Sequence, residues 1–146
     1  MKAIIAFDDS DAARAALKFS MKFKDVIDEI IVVYVSPSLI GVTPTFDTYI
    51  PASVYQRQEE TSDSIIESAK SIMGNTSSKI TFVNIDSKGE TVPRAIMRTA
   101  KERGVDLIIT GTRKLSGLSK AILGSVSSEI VKLSTIPVLI TPPVES

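Results

Sequence analysis

The chain has 146 residues, 43% of them hydrophobic, and its 17 basic and 17 acidic residues leave no net charge. That length allows one domain with its own core, and the charge balance argues against a nucleic-acid partner, which needs a basic face. Cysteine and histidine are absent, which excludes disulfides, thiolate catalysis, a Ser-His-Asp triad and the commonest transition-metal ligand.

The apolar runs are short. The longest have five or six residues, whereas a membrane span needs about 20. The N-terminus enters a strand pattern directly and lacks the layout of a signal peptide. We therefore expect a cytoplasmic protein with no membrane partner.

Five apolar runs alternate with helical patterns along the chain. The runs are nearly continuous in isoleucine and valine, as is typical of strands buried on both faces of a parallel sheet; they are Ala3–Phe7, Ile30–Val35, Ile80–Ile85, Leu107–Thr110 and Val138–Thr141. The alternation predicts a single α/β domain over residues 1–146, with helices on both faces of a five-stranded parallel sheet.

The helical patterns have recognisable faces and ends. Apolar residues at helical spacing form four stripes. The first consists of Ala12, Ala16, Phe19 and Phe23, the second runs from Val54 to Met73, the third consists of Val92, Ile96 and Ala100, and the fourth of Leu118, Ile122, Val126, Ile130 and Leu133. Pro51 is expected to open the second helix. Gly74 and Gly104 stand where helix C-caps belong.

The segment Ser36–Ile50 is long for a loop of a compact domain. It contains prolines and a glycine, but also several large apolar residues that disfavour disorder. We expect it to pack against the body of the domain, with a lid or a partner surface as the alternatives.

Short right-handed crossovers favour the strand order 3-2-1-4-5. The winding direction then reverses between strands 1 and 4, and open α/β sheets bind ligands outside the carboxyl ends of the strands at such a reversal. Those ends carry Phe7–Ser10 and Thr110–Arg113. The topology therefore predicts a binding crevice between them.

A stretch rich in glycine and serine follows the fourth strand. Gly111 and Gly117 precede Gly124, which is followed by Ser125 and Ser127. Glycines let backbone N–H groups approach a ligand, and hydroxyls at a helix start add donors, a combination that holds phosphate. The spacing matches neither a Rossmann fingerprint nor a P-loop. The alternative is a strand-to-helix turn that uses glycine for geometry alone.

Charged side chains near this crevice suggest further roles. Arg113 and Lys114 are candidates to neutralise phosphates. Asp8 is a candidate to bind a ribose or base or to help hold Mg²⁺, with helix capping as an equal alternative, and Asp11 is expected to cap. Because acidic groups at positions 8, 9 and 11 would repel a phosphate, a nucleotide is expected to bind with Mg²⁺ or Mn²⁺.

The chain resembles the universal stress protein family over nearly its whole length. The resemblance is carried by the order and spacing of the segments Lys2–Ser10, Val32–Pro37, Gly89–Gly111, Leu123–Ser127 and Ile136–Ile140. The glycine-rich stretch comes close to the family's nucleotide pattern Gly-x2-Gly-x9-Gly-Ser/Thr. It departs at Lys114, which occupies the place of the second glycine, and Asp9 replaces a frequent glycine in the first turn.

The resemblance implies a homodimer and, in one branch of the family, bound ATP or AMP with a divalent cation. On that pattern Asp8 and Val35 would serve the adenosine, with Asp8 also near the metal. The ribose and phosphates would be held by Gly111, Thr112, Arg113, Lys114 and Gly117 and by Gly124, Ser125, Val126 and Ser127. A branch that lacks the motif generally does not bind ATP.

Three functions are compatible with these patterns. The chain is either a nucleotide-binding regulatory protein, a nucleotide-free homodimeric interaction module of the stress response, or a slow ATPase. We expect no catalysis, because without histidine or cysteine nothing resembles a base that positions an attacking water.

The fifth strand, Val138–Thr141, is expected at one edge of the sheet. Pro137 lies at its start and no lysine or glutamate interrupts it, so its outer N–H and C=O groups are open to pairing. We predict a homodimer in which this strand pairs with its own copy about a two-fold axis. The alternative is that Pro142, Pro143 and the C-terminal residues cover the edge.

Overall fold

A computed structural model describes residues 1–37, 51–76, 78–112 and 123–142. Strands and helices alternate in the order β1 (Lys2–Ala6), α1 (Asp11–Ser20), β2 (Glu29–Ser36), α2 (Ala52–Met73), β3 (Lys79–Asp86), α3 (Val92–Glu102), β4 (Leu107–Gly111), α4 (Ser125–Leu133) and β5 (Val138–Thr141), with a short 3₁₀ helix, Met21–Phe23, after α1. No helix in these ranges is long and apolar enough to cross a membrane.

The five strands form one parallel sheet in the order β3-β2-β1-β4-β5. The central strand is β1, in which Ile4 pairs with Ile31 of β2 on one side and with Ile108 of β4 on the other. The predicted α/β fold and strand order are therefore confirmed. The reversal of winding falls between β1 and β4, as the crevice prediction requires.

The sheet is buried on both faces because successive residues of each inner strand enter different cores. Ile5 joins the cluster under α1 and α2, whereas Ile4, Ile96 and Ile130 belong to the cluster under α3 and α4. Each fully buried isoleucine contributes roughly 1.5–3 kcal/mol. This two-sided burial explains why the strands read as continuous apolar runs rather than as an alternation.

The buried face of the first helix agrees with the predicted stripe only in part: Ala16 is buried as predicted and Phe23 packs against the core. The buried residues of α1 are Ala13, Ala16, Leu17 and Ser20. Phe19 is 37% exposed and packs edge-on against Phe23 with ring centroids 5.4 Å apart. The N-cap is Ser10, whose hydroxyl accepts from the Ala13 N–H at 3.2 Å, so the expectation that Asp11 caps the helix was wrong.

The helices α2 and α3 begin and end close to the predicted positions, whereas α4 begins at Ser125, after the start of the predicted stripe at Leu118. Pro51 precedes α2, and Gly74 follows this helix with a positive φ of 56°. Gly104 has φ 63° after α3. Val54, predicted on the buried stripe of α2, is exposed. Leu118, Ile122 and residues 38–50 lie outside the described residues, so the predictions for them stay predictions.

Candidate functional site

A cavity of about 270 Å³ opens at the carboxyl ends of β1 and β4. Small-molecule sites commonly measure about 300–1,000 Å³, so this crevice suits a small ligand. The N-terminal turns of α1, α3 and α4 complete its walls. The sequence-predicted residues that line it are Asp8, Val35, Gly111, Gly124, Ser125, Val126 and Ser127.

Gly111, the last residue of β4, lies against the start of α1. A Cβ built on it would stand 2.2 Å from the carbonyl oxygen and 2.6 Å from the carbonyl carbon of Ala12. Its φ is not among the positive ones, so no left-handed turn requires glycine here. The close approach of two backbones requires it, and that contact holds α1 against β4 at the floor of the crevice.

The helix α4 presents an N-terminus without a side-chain cap to the crevice. The hydroxyls of Ser10 and Thr91 cap α1 and α3, but Gly124 occupies the cap position of α4 and has no side chain. The N–H groups of a helix's first turn lack partners within the helix. This end of α4 therefore offers backbone donors and a positive dipole end to an anion.

Thr112 does not line the cavity, but it fixes where α4 begins. Its Oγ1 accepts from the Gly124 N–H at 3.3 Å, which joins the end of β4 to the start of α4. This hydrogen bond places Gly124 beside the end of β4, and α4 begins at the next residue, Ser125.

The two predicted serine donors differ in their surroundings. Ser125 is exposed at the first helical position. Ser127 is buried, and its hydroxyl donates to the Gly124 carbonyl at 3.1 Å. Because that proton is used within the first turn of α4, Ser125 is the better placed hydroxyl to donate to a ligand.

Asp8 follows β1 and lines the crevice with an exposed side chain. Its Oδ1 accepts from the Ser10 N–H at 3.0 Å, so the carboxylate orders the turn between β1 and α1. The alternative that Asp8 caps α1 is not realised, because Ser10 is the cap.

Asp9 points away from the crevice. It has φ 65°, and its Oδ1 lies 2.6 Å from Arg14 Nη2 and accepts from the Ser68 hydroxyl at 2.7 Å. Its charge is therefore compensated within the protein. The expected repulsion from three acidic groups is reduced, and with it the electrostatic argument for a cation.

The crevice offers little for a metal ion on its own. No cluster of three or more histidine, cysteine, aspartate or glutamate residues occurs in the described part of the chain. Asp8 is the acidic side chain among the lining residues. It fits as a single carboxylate ligand, so a Mg²⁺ or Mn²⁺ ion there would take its other ligands from bound phosphates and water.

Sequence reasoning missed the aromatic and apolar walls of the cavity. Tyr34 contributes from β2, and Val92 and Ile96 from α3. Burial, and after it the negative charge of Asp8, raises the pKa of the Tyr34 phenol above its ordinary value of 10.0. The phenol is protonated at neutral pH and can donate a hydrogen bond. The signal for it was its place at the end of β2, next to the predicted Val35.

Three of the predicted site residues, Arg113, Lys114 and Gly117, lie outside the described residues. Their roles as phosphate ligands stay predictions. The described residues before and after them, Thr112 and Leu123, belong to the ends that meet beside the crevice through the Thr112–Gly124 hydrogen bond.

Comparison with known proteins places these features in a family. Residues 1–142 match the model of the universal stress protein family. The chain is 31% identical over 147 residues to universal stress protein YxiE of Bacillus subtilis, covering 95% of this chain and 97% of that protein. It is 28% identical over 155 residues to universal stress protein MJ0577 of Methanocaldococcus jannaschii, covering 95% and 93%.

Solved structures share the fold. The structure of MJ0577 superposes with a TM-score of 0.67 at 25% identity, covering 99% of this chain and 97% of that one. A universal stress protein in complex with cAMP gives 0.70 at 19% identity, covering 99% and 98%. An Archaeoglobus fulgidus protein in complex with dAMP gives 0.62 at 20%, covering 96% of each chain, and an Arabidopsis thaliana protein with AMP bound gives 0.63 at 15%, covering 97% and 91%.

Proposed function

The chain belongs to the universal stress protein family, and from that membership and the crevice we propose that it is a regulatory protein that binds ATP or AMP. The observation that carries the proposal is the coincidence of three features at the β1–β4 reversal. These are the cavity, the Asp8 carboxylate and the N-terminus of α4, which Gly124 leaves without a side-chain cap. The proposal includes the cytoplasmic location expected from the sequence.

The lining of the crevice contains groups that suit each part of a nucleotide. Val35, Val92 and Ile96 give it apolar surface, which suits a purine base. Ser125 and the first-turn N–H groups of α4 suit phosphate. Asp8 also lines the crevice and is the candidate to accept from ribose hydroxyls.

The residues outside the described ranges complete this proposal from the sequence alone. Arg113 and Lys114 would add positive charge beside the phosphates. Mg²⁺ or Mn²⁺ would arrive with ATP and use Asp8 as its protein ligand. Such an ion would neutralise phosphate charge, while the protein orients the nucleotide.

Proteins of the same fold that were solved with cAMP, AMP and dAMP support the choice of an adenine nucleotide. Their identity to this chain is 20% or less, so they support the ligand class through the fold and do not assign individual residues. Residue roles rest on the geometry described above.

Two experiments test the proposal: identification of any small molecule that the purified protein carries, and removal of the Ser125 hydroxyl. After native purification, acid should release an adenine nucleotide. Ser125→Ala should weaken AMP binding about tenfold or more and leave adenosine binding unchanged, since one charge-assisted hydrogen bond contributes about 1.5–3 kcal/mol. Ser128→Ala, one turn further into α4 and outside the cavity lining, is the matched control. An empty protein that binds no added nucleotide would overturn the proposal.

The second candidate is a nucleotide-free homodimeric interaction module. Lys114 in place of the second motif glycine favours it, because that position belongs to the phosphate-binding pattern of the family. In either case we propose a homodimer through β5, which lies at the edge of the sheet. No residue arrangement in the described crevice calls for an enzyme.

A further inference from the structure

The turn between β1 and α1 contains a residue in a conformation that glycine prefers. Asp9 has φ 65°, a region that L-residues with a side chain enter at a cost. Aspartate tolerates it better than most residues, but glycine would carry no such penalty. A carboxylate at this position therefore needs a compensating contact.

That contact is a triangle of polar groups from three elements. Asp9 Oδ1 lies 2.6 Å from Arg14 Nη2 of α1. The Ser68 hydroxyl of α2 donates to Asp9 Oδ1 at 2.7 Å, and Arg14 Nη2 donates to Ser68 Oγ at 2.7 Å. The side chains of Asp9 and Arg14 are 33% and 41% exposed, so the triangle lies at the surface but is partly shielded.

Asp9 stands directly between the crevice residue and the helix cap. Before it, Asp8 accepts from the Ser10 N–H, and β1 is held in register by the Phe7 N–H donating to the Val33 carbonyl at 2.8 Å. The backbone angles of Asp9 decide how Asp8 and Ser10 face each other. A side chain that anchors Asp9 to α2 therefore also sets where the Asp8 carboxylate stands.

We propose that Asp9 is a positioning residue for the nucleotide site, holding the Asp8 turn through Arg14 and Ser68 and thereby linking crevice occupancy to α2. This inference rests on the proposed function. Thermodynamic linkage requires reciprocity: if the triangle favours binding, a bound nucleotide strengthens the triangle.

The variant Asp9→Gly distinguishes two roles of Asp9: positioning Asp8 through the triangle, or merely fitting the backbone conformation of the turn. If Asp9 is only a residue that fits the turn, glycine relieves the left-handed strain and leaves ligand binding as it was. If the triangle positions Asp8, the same variant keeps or gains thermal stability and yet loses affinity. Ser68→Ala removes the α2 arm of the triangle without touching the turn.

The variants are to be compared by calorimetry with AMP and by thermal unfolding. We expect Asp9→Gly to weaken AMP about tenfold at an unchanged or higher Tm, and Ser68→Ala to weaken it in the same direction. The double variant should lose little more than Asp9→Gly, since the two side chains share one contact. Glu67→Gln, which breaks the exposed Lys70–Glu67 pair of 3.1 Å on α2, is the matched control and should bind like the wild type.

Wild-type AMP affinity in Asp9→Gly would overturn the inference. A wild-type protein that binds no nucleotide would instead refute the proposed function, and with it the inference that rests on it.

Discussion

Gly111 and Ala12 touch through their backbones: a Cβ on Gly111 would stand 2.2 Å from the Ala12 carbonyl oxygen. The contact joins β4 to the first turn of α1, the two elements on either side of the crevice. This glycine, which begins the motif read from the sequence, is therefore required by packing whether or not a ligand binds. Its contribution to a site is indirect, through the position of α1.

Gly111→Ala should destabilise the fold. The added methyl group meets backbone atoms that cannot move aside, and overpacking of this kind costs about 1–3 kcal/mol, a fall in Tm of several degrees for a domain of this size. Gly104→Ala is the comparison: it has open space but φ 63°, so it should cost only about 1 kcal/mol. Thermal unfolding of both variants measures the difference, and a wild-type Tm for Gly111→Ala would contradict the packing argument.

The phenol of Tyr34 should titrate at higher pH than a solvated tyrosine. Burial and then Asp8 disfavour the phenolate, which raises the pKa above 10.0. Asp8→Asn should lower this pKa partway, because burial remains. Since the unfolded chain ionises first, Tyr34 contributes stability that is lost as the pH rises from about 10 through the folded-state pKa. Ultraviolet titration against Tyr34→Phe tests this: an unshifted Tyr34 pKa would contradict the burial of the phenol, and a pKa unchanged in Asp8→Asn would show that Tyr34 does not face Asp8.

The strands could be predicted because their residues enter two cores. Ile4 and Ile5 point to opposite clusters, and such burial leaves a continuous apolar run in the sequence. The buried face of α1 could not be predicted in the same way. Ser20 is buried and donates to the Leu17 carbonyl at 2.6 Å, while Phe19 is exposed and packs against Phe23. A prediction that buries the apolar residues therefore misplaces both Ser20 and Phe19.

For the crevice too, some features could be predicted from the sequence, and others depend on contacts between residues far apart in it. Its place at the ends of β1 and β4 follows from strand order alone, and Asp8 was predicted on that basis, whereas Gly124 was predicted from the spacing of the glycines. The contact of Asp9 with Ser68 joins residues 59 positions apart, and no periodicity indicates it. The wall formed by Val92 likewise depends on how α3 docks onto the sheet.

Substitutions of Lys114 should show whether the departure from the family motif at this position changes nucleotide affinity. If its ammonium group contacts phosphate, Lys114→Ala should weaken ATP more than adenosine, by about 1 kcal/mol. If the side chain obstructs the site, Lys114→Gly should tighten ATP binding. Calorimetry of the three proteins distinguishes these cases, and equal affinities throughout would show that this position contacts no nucleotide.

The homodimer predicted through β5 depends on backbone groups at the outer edge of that strand. The carbonyls of Pro137 and Thr141 accept from the N–H groups of Ile108 in β4 and of Thr112 just after it. Since strand residues alternate in direction, the N–H of Ile140 points outward. Ile140→Pro removes that donor without breaking a β4 hydrogen bond, so it should yield a folded monomer.

Leu139→Pro is the control for this substitution, because it breaks the ladder to β4 and should unfold the protein rather than dissociate it. Sedimentation at micromolar concentration reads out the assembly, with thermal unfolding as the check on folding. A wild-type monomer would refute the interface. A dimer that persists in folded Ile140→Pro would move the interface to another surface.

Binding of an adenine nucleotide is tested most directly by titrating the purified full chain with ATP and with AMP, with and without Mg²⁺, in a calorimeter. The proposed function predicts saturable binding with micromolar to millimolar affinity, stronger for ATP when Mg²⁺ is present. It also predicts stabilisation of about 2.7 kcal/mol at a hundredfold excess over Kd, visible as a rise in Tm of several degrees. No heat and no change in Tm with millimolar nucleotide and metal would contradict it and leave the nucleotide-free homodimer.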